Sequence, residues 1–197
     1  MTTLLVATRN RGKIKEIRAL LEGLVDEVLC VADIPDLPET VEDGASFAEN
    51  ALKKAREASR ASGLAVLADD SGLVVEGLGG RPGVYSARFA GPDADDTANN
   101  RRLLQEVAGL SAEERRAAFV CNMAFVTPDG TEQLFEGRVG GSIIDQPRGA
   151  HGFGYDPLFL VDGFEQTMAE LPLEQKNLIS HRGQALRAFQ AYLAQQA

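Results

Sequence analysis

Apolar and polar positions along the chain predict strands that alternate with helices. The first apolar run, Thr3–Thr8, has the character of a strand. After it, apolar side chains recur at the spacing of one helical face, at Ile14, Ile17, Leu21 and Leu24. The sequence therefore predicts a strand and a helix joined by a tight turn at the polar residues between them.

Local signals place the next elements. Val28–Val31 is a second short apolar run, and Asp33–Gly44 contains two prolines, which favours a loop. Ser46 and Glu49 stand at the spacing of a capping box. A helix should therefore begin after Ser46 and continue to about Ser62, where a glycine follows.

The second half of the chain predicts one more helix, a hairpin and a terminal helix. Asn99–Val107 has helical spacing, and Ala117–Thr127 and Thr131–Val139 flank a Pro-Asp-Gly turn. The last helix should start near Ser180. Strand–helix alternation combined with one hairpin is typical of an α/β fold with a mixed sheet.

Length indicates one domain, or two tightly joined lobes, over residues 1–197. The composition is globular, since 44% of the residues are apolar and 25% are charged. The net charge of −9 argues against binding to nucleic acid or to an anionic membrane. No apolar run is long enough to span a bilayer. Cys30 and Cys121 lie in apolar runs without metal or redox spacing, so we expect reduced thiols in a cytoplasmic enzyme.

Charge is distributed unevenly near the N-terminus. Residues 9–18 contain five basic residues and one glutamate, whereas residues 19–52 contain nine acidic residues and neither lysine nor arginine. A basic turn followed by an acidic loop suits a polyphosphate bound with a divalent metal. A solvated helix face beside an unrelated loop explains the charges equally well.

Two neighbouring carboxylates, Asp69 and Asp70, follow the short apolar run Leu64–Ala68. We expect a buried strand that ends at Asp69, which would place the carboxylates at the edge of the sheet where α/β enzymes build sites. Adjacent strand residues point to opposite faces, so one carboxylate should act and the other should brace the turn. A purely structural turn is the alternative. Mg²⁺ would take a second carboxylate from Glu42 or Asp43.

Other candidate groups are weaker signals. The first predicted helix begins in a basic turn, where backbone N–H groups and Lys13 could hold a phosphate, although no Walker A motif is present. His181 stands at a predicted helix start, where the helix dipole favours the neutral ring. Phe153 and Tyr155 in a glycine-rich loop offer either an aromatic face for a base or hydrophobic anchors for the loop. No nucleophilic triad or zinc spacing is recognisable.

Six short blocks occur in order from about Leu4 to Phe189. They are Thr8-Arg9-Asn10-Arg11-Gly12-Lys13, Ser46-Phe47-Ala48-Glu49-Asn50-Ala51, Ala68-Asp69-Asp70-Ser71-Gly72-Leu73, Gly79-Gly80-Arg81-Pro82-Gly83-Val84-Tyr85-Ser86-Ala87-Arg88, Gly152-Phe153-Gly154-Tyr155-Asp156-Pro157 and Ile179-Ser180-His181-Arg182-Gly183. Together they resemble the inosine triphosphate pyrophosphatase family, also called XTP/dITP diphosphatases or Ham1-like proteins. One block alone would be a weak signal, but six in family order are specific.

The resemblance implies an activity, a cofactor and a fold. Members of this family hydrolyse ITP, dITP and XTP to the monophosphate and pyrophosphate with Mg²⁺. Their fold is a long, twisted mixed β-sheet with flanking helices in two lobes and a cleft between them. The resemblance also implies a homodimer.

The resemblance assigns roles residue by residue. Asp70 would bind the metal and take the proton from the attacking water, and Glu42 would be the second metal carboxylate, with Asp43 as its alternative. The residues that would bind substrate are Thr8, Arg9, Asn10, Arg11, Gly12 and Lys13 for the triphosphate, Ser71, and Phe153, Gly154, Tyr155, Asp156, Lys176, His181 and Arg182 for the base. Arg9 replaces a glycine of many relatives, which puts its phosphate contact in question.

Base choice should depend on the 6-keto group of hypoxanthine and xanthine, because donors built for that oxygen stay unpaired against adenine. We therefore expect ITP and XTP to be hydrolysed in preference to ATP, with attack at the α-phosphate.

Two alternative functions remain: a Maf-like pyrophosphatase of pyrimidine or modified nucleotides, and a non-catalytic nucleotide sensor. The intact Glu42, Asp70 and Lys13 argue against the sensor.

Overall fold

The computed structural model describes residues 3–35 and 37–196 and contains a six-stranded sheet in the order β2-β1-β3-β4-β5-β6. The elements are β1 (Thr3–Val6), α1 (Arg11–Leu21), β2 (Glu27–Cys30), α2 (Phe47–Ser62), β3 (Val66–Val75), α3 (Asp96–Val107), β4 (Arg116–Val126), β5 (Glu132–Ile143), β6 (Phe159–Val161), α4 (Leu173–Ile179) and α5 (His181–Gln196). β1 pairs in parallel with β2 and β3, and β5 pairs antiparallel with β6. The predicted α/β fold with a mixed sheet is confirmed.

The ends of α2 follow the local signals of the sequence. The Ser46 Oγ accepts a hydrogen bond from the Glu49 N–H at 3.2 Å, and the Glu49 carboxylate accepts one from the Ala45 N–H at 2.7 Å. Gly63 ends the helix in the left-handed conformation, with φ of +69°. Both predicted ends of this helix are confirmed.

β3 does not end at Asp69 as predicted. It continues through Asp69 and Asp70 to Val75. Each carboxylate has a neighbouring cation, Lys13 for Asp69 and Lys54 for Asp70, so both can lie within a buried strand. Gly72 then permits close packing, because a Cβ there would lie 2.3 Å from the Ser86 Oγ.

Smaller differences concern capping and loops. α3 starts at Asp96, before the predicted Asn99, because the Asp95 carboxylate caps the Ala98 N–H at 2.7 Å. α4 was not predicted. The predicted loop from Asp33 to Gly44 contains no helix or strand after Asp33 among its described residues, and Asp36 lies outside them.

The chain divides into two compact units. The first contains residues 1–70, 121–137 and 182–197, and the second contains residues 71–120 and 138–181. In the first unit the pleat of β1 separates two cores: Leu4 and Val6 belong to the cluster of α1 and α5, while Leu5 and Ala7 belong to that of α2. Each face of β1 therefore has its own apolar core.

The second unit has a core of its own, in which side chains of β3 meet those of α3, β4, β5 and β6. Leu73, Leu103, Phe119 and Phe159 are among its buried members. Within residues 3–35 and 37–196, every helix is too short or too polar to cross a membrane.

Candidate active site

Asp69 is the centre of a buried ionic group in the first unit. Its carboxylate accepts hydrogen bonds from the Arg182 Nε at 3.1 Å and the Cys121 Sγ at 3.0 Å, and it forms an ion pair with the Lys13 ammonium. Arg182 also donates to Glu16 at 2.5 Å. Burial would raise the pKa of Asp69, but Arg182 and Lys13 outweigh it and hold the pKa well below its usual range. Asp69 is therefore ionised, and its carboxylate is bonded to Arg182, Cys121 and Lys13.

Asp70 has different surroundings. Its Oδ2 accepts a hydrogen bond from the Asn50 Nδ2 at 3.1 Å, and its Oδ1 lies 3.4 Å from the Lys54 Nζ. Burial raises the pKa of Asp70 despite the attraction of Lys54 and Lys13, and the nearby Glu42 carboxylate adds to the increase. Asp70 is consequently the more basic of the two neighbouring carboxylates.

Lys54 joins the two carboxylates that were expected to hold a metal. Its ammonium lies 2.8 Å from the Glu42 Oε1 and 2.7 Å from the Asp69 carbonyl oxygen, in addition to its contact with Asp70. Asp43, the alternative metal ligand, instead pairs with Lys53 at 2.6 Å and is largely exposed. The structure therefore associates Glu42, and not Asp43, with Asp70.

Asn50 and Lys54 lie one turn apart on α2 and were not among the predicted site residues. Asn50 is fully buried, and its Oδ1 accepts a hydrogen bond from the Gly44 N–H at 2.8 Å. It thus connects the acidic loop to Asp70. Two signals could have identified the pair: an asparagine within the alanine-rich face of α2, and the first lysines after a long acidic stretch.

The charges around Glu42 and Asp70 fit a divalent cation. The two carboxylates share one ammonium, so the three groups carry a net negative charge. Over the described part of the chain, no group of three His, Cys, Asp or Glu side chains could hold a metal ion. Mg²⁺ at Glu42 and Asp70 would therefore need further oxygen ligands, which the phosphates of a bound nucleotide supply.

The basic turn has the expected geometry at the start of α1. Asn10 caps this helix by accepting a hydrogen bond from the Lys13 N–H at 3.1 Å, and the Thr8 Oγ1 accepts one from the Asn10 N–H at 3.2 Å. Arg9 is exposed, with its Nε 4.0 Å from Glu39, and Arg11 and Gly12 form the first turn of the helix. The backbone N–H groups of Arg11 and Gly12, at the start of this helix, are suited to an anion.

The second unit holds the glycine-rich loop. The Asp156 carboxylate accepts hydrogen bonds from the Phe153 N–H at 3.0 Å and from the buried Lys176 Nζ at 2.5 Å. The same Nζ lies 4.9 Å from the centre of the Phe153 ring. Gly152 is required there, because its φ is +79° and a Cβ would lie 2.0 Å from the Asp156 Oδ2.

The remaining residues that were predicted to bind substrate have different surroundings. Tyr155 is buried and donates a hydrogen bond from its hydroxyl to the Ser86 carbonyl at 2.7 Å, and burial raises its pKa. His181 is buried, with its ring stacked on Phe119 at a centroid distance of 5.0 Å. Ser71 lies within β3. Arg182 belongs to the ionic group of Asp69 in the first unit.

Comparison with known proteins covers almost the whole chain. A model of the Ham1 family matches residues 4–192. A dITP/XTP pyrophosphatase of Geobacter sulfurreducens is 55% identical, over 100% of this chain and 98% of that protein. A dITP/XTP pyrophosphatase of Bacillus licheniformis is 48% identical, over 99% of this chain and 100% of that protein.

Solved structures give the same result. A HAM1 protein from Coxiella burnetii superposes with a TM-score of 0.90 at 37% identity, covering 99% of this chain and 100% of that one. The Staphylococcus aureus Ham1 protein superposes with a TM-score of 0.88 at 39% identity, covering both chains completely. The sequence blocks, the sheet and these similarities agree, and the chain belongs to the Ham1 family.

Proposed function

We propose that this protein is an Mg²⁺-dependent hydrolase that converts the non-standard purine nucleoside triphosphates ITP, dITP and XTP to the monophosphate and pyrophosphate. The observation that carries the proposal is the environment of Asp70, a carboxylate of raised pKa held by Asn50 and Lys54 beside Glu42. The names of the relatives, dITP/XTP pyrophosphatase, support the same reaction and substrate class.

In the proposed reaction, Asp70 accepts a proton from water while the water oxygen attacks the α-phosphorus. The bond from the α-phosphorus to the oxygen that bridges to the β-phosphate breaks, and pyrophosphate leaves with that oxygen. A raised pKa makes Asp70 a stronger base than an ordinary aspartate. Mg²⁺ bound by Glu42 and Asp70 would neutralise charge on the triphosphate.

The residues around Asp70 would bind and orient the triphosphate. We assign this role to the N-terminus of α1 and to Lys13, whose ammonium is held by the ionised Asp69. The set proposed for the triphosphate is Thr8, Arg9, Asn10, Arg11, Gly12 and Lys13, and Ser71 would also contact the substrate. Fixed donors aimed at phosphate oxygens stabilise charge that develops during attack, which is the main need of phosphoryl transfer.

The base would be bound by groups of the glycine-rich loop, with Phe153 as the stacking surface. The set proposed for this role is Phe153, Gly154, Tyr155, Asp156, Lys176, His181 and Arg182. We expect ITP and XTP to be preferred over ATP, because adenine presents an amino donor where these bases present a keto oxygen. A homodimer, which the family resemblance implies, and a cytoplasmic location, which the cysteine pattern favours, remain predictions.

The test is pyrophosphate release from ITP, XTP, dITP, GTP, ATP and dTTP, each measured with Mg²⁺ and with EDTA. We expect metal-dependent release with kcat/KM highest for ITP and XTP. Asp70→Asn should reduce kcat by about 10²- to 10⁴-fold, the usual contribution of a general base. Asp43→Asn, which changes the neighbouring exposed carboxylate, should retain most activity and is the control.

Other outcomes would change the proposal. A preference for dTTP would indicate a Maf-like enzyme. Binding of ITP without any release would indicate a nucleotide sensor. Near wild-type turnover by Asp70→Asn would show that Asp70 is not the base.

A further inference from the structure

Two side chains of α3, Asp96 and Asn100, hold the backbone of Gly154 from one helical face. The Asp96 Oδ2 accepts a hydrogen bond from the Gly154 N–H at 2.7 Å, and the Asn100 Nδ2 donates one to the Gly154 carbonyl at 2.9 Å. The two residues are one helical turn apart, so both reach the same residue of the loop. Both backbone hydrogen-bonding groups of Gly154 are therefore bonded to this helix.

The hydrogen bond between Asp96 and Gly154 also restricts the backbone of Phe153. The Gly154 N–H belongs to the planar peptide that joins it to Phe153, so Asp96 fixes the peptide plane on the C-terminal side of Phe153. The Phe153 N–H, on the other side, is bonded to the Asp156 carboxylate at 3.0 Å. With both flanking peptides anchored, the direction in which the Phe153 side chain leaves the backbone is set.

The conformation of Gly154 needs such support. Its φ is +61°, in the left-handed region, and glycine has more backbone freedom than any other residue. Without the bonds from α3, this residue would allow the loop to sample other arrangements. The Asn100 Oδ1 is buried and has no hydrogen-bond partner among the described residues, so this amide contributes through its bond to Gly154.

We propose that Asp96 and Asn100 are positioning residues that set the orientation of the Phe153 ring before a purine base stacks on it. The inference rests on the proposed function, in which Phe153 is the stacking surface. A surface already held in its bound orientation binds more tightly, because less conformational freedom is lost when the ligand arrives. Neither residue touches the phosphates in this assignment, so their effect should be confined to binding of the base.

The experiment compares Asp96→Ala and Asn100→Ala with the wild-type protein. We expect KM for ITP to rise roughly three- to tenfold in each variant, the equivalent of one hydrogen bond, with kcat changed less than twofold. The Kd of inosine monophosphate, measured by calorimetry in EDTA, should rise by a similar factor. The inhibition constant of inorganic tripolyphosphate, a probe without a base, should stay the same.

Two further variants separate positioning from helix stability. Asp96→Asn keeps an oxygen that can accept from the Gly154 N–H but loses the charge, so it should restore binding to within about twofold of wild type. Thr97→Ala, an exposed change in the same turn of α3, should leave every value unchanged. A rise in the tripolyphosphate constant, or equal losses in Asp96→Asn and Asp96→Ala, would contradict the inference.

The inference and the proposed function can fail separately. If the wild-type protein hydrolyses ITP and the alanine variants match it, the positioning role is wrong while the function holds. If the wild-type protein releases no pyrophosphate but binds inosine monophosphate, the alanine variants still test positioning through that Kd. If inosine monophosphate does not bind the wild-type protein, no base stacks on Phe153 and the inference is overturned.

Discussion

At the residue scale, Asp69 and Asp70 show how neighbouring carboxylates acquire opposite properties. Asp69 has two cations within contact distance, and Asp70 shares a single lysine with Glu42. The pKa of Asp69 is therefore lowered and that of Asp70 raised, although both are buried. The alternation of side chains along a strand predicted different surroundings for the two, which the structure confirms. The catalytic role of Asp70 stays a prediction.

Asp69→Asn should lower the free energy of unfolding at pH 7 by about 3–5 kcal/mol, because it leaves the buried charges of Arg182 and Lys13 without their carboxylate. Urea denaturation in EDTA measures this change without interference from a metal. Glu132→Gln, which removes the exposed partner of Arg56, is the control and should change stability little.

The same pair of variants gives a pH dependence. A lowered pKa in the folded state means that ionised Asp69 stabilises the protein above its usual pKa of 3.8, and that this contribution is lost as the pH falls through the folded pKa. The stability difference between wild type and Asp69→Asn should be constant above about pH 5 and narrow below about pH 4. A difference that is the same at all pH values would contradict the ionisation of Asp69.

At the element scale, α2 organises the carboxylates of the site. Its capping box and terminal glycine could be predicted from the sequence because the bonds involved join residues at most four positions apart. The role of Lys54 could not, since its partners lie on the acidic loop and on β3. The spacing of residues along the sequence predicts which side chains share one face of a helix. It does not predict which distant side chains pack against that face.

Lys54→Met should lower the free energy of unfolding in EDTA by about 1–3 kcal/mol, because Glu42 and Asp70 would be left without their shared cation. Mg²⁺ should then stabilise the variant more than the wild type, since the net charge of the carboxylate pair is more negative. Urea denaturation with and without Mg²⁺ measures both effects. Lys53→Met, which affects only the pair with exposed Asp43, is the matched control.

Equal responses to Mg²⁺ in Lys54→Met and Lys53→Met would contradict the assignment of the cation to Glu42 and Asp70. A variant that is more stable than wild type in EDTA would show that Lys54 is not needed to offset the repulsion between these carboxylates.

At the scale of the whole molecule, the first unit has two apolar cores and the second has one, and each unit has its own polar group. The first contains the carboxylates with their lysines, and the second contains the glycine-rich loop braced by α3. In the proposed function the carboxylates Glu42 and Asp70 of the first group bind the metal, and the phosphates of the nucleotide complete its ligands. Binding should therefore require the metal and the nucleotide together.

Mg²⁺ and a non-hydrolysable inosine triphosphate analogue should stabilise the protein more in combination than the sum of their separate effects. The reason is that Glu42 and Asp70 would supply only part of the ligands that Mg²⁺ needs. When the Mg²⁺–analogue complex is present at one hundred times its Kd, the free energy of unfolding should be about 2.7 kcal/mol higher than that of the free protein. Thermal denaturation with each ligand alone and with both measures this, and a full shift with Mg²⁺ alone would contradict it.

The sequence by itself determined what short-range interactions encode: the capped helices, the hairpin at the Pro-Asp-Gly turn, and the blocks that indicated the family. Tertiary structure decided that β3 runs on through Asp69 and Asp70, and that Arg182 bonds to Asp69 and Glu16, which lie 113 and 166 positions earlier in the sequence. The physical reason is that caps and turns form between neighbours in sequence, whereas a buried charge is tolerated only where folding brings its counter-ion.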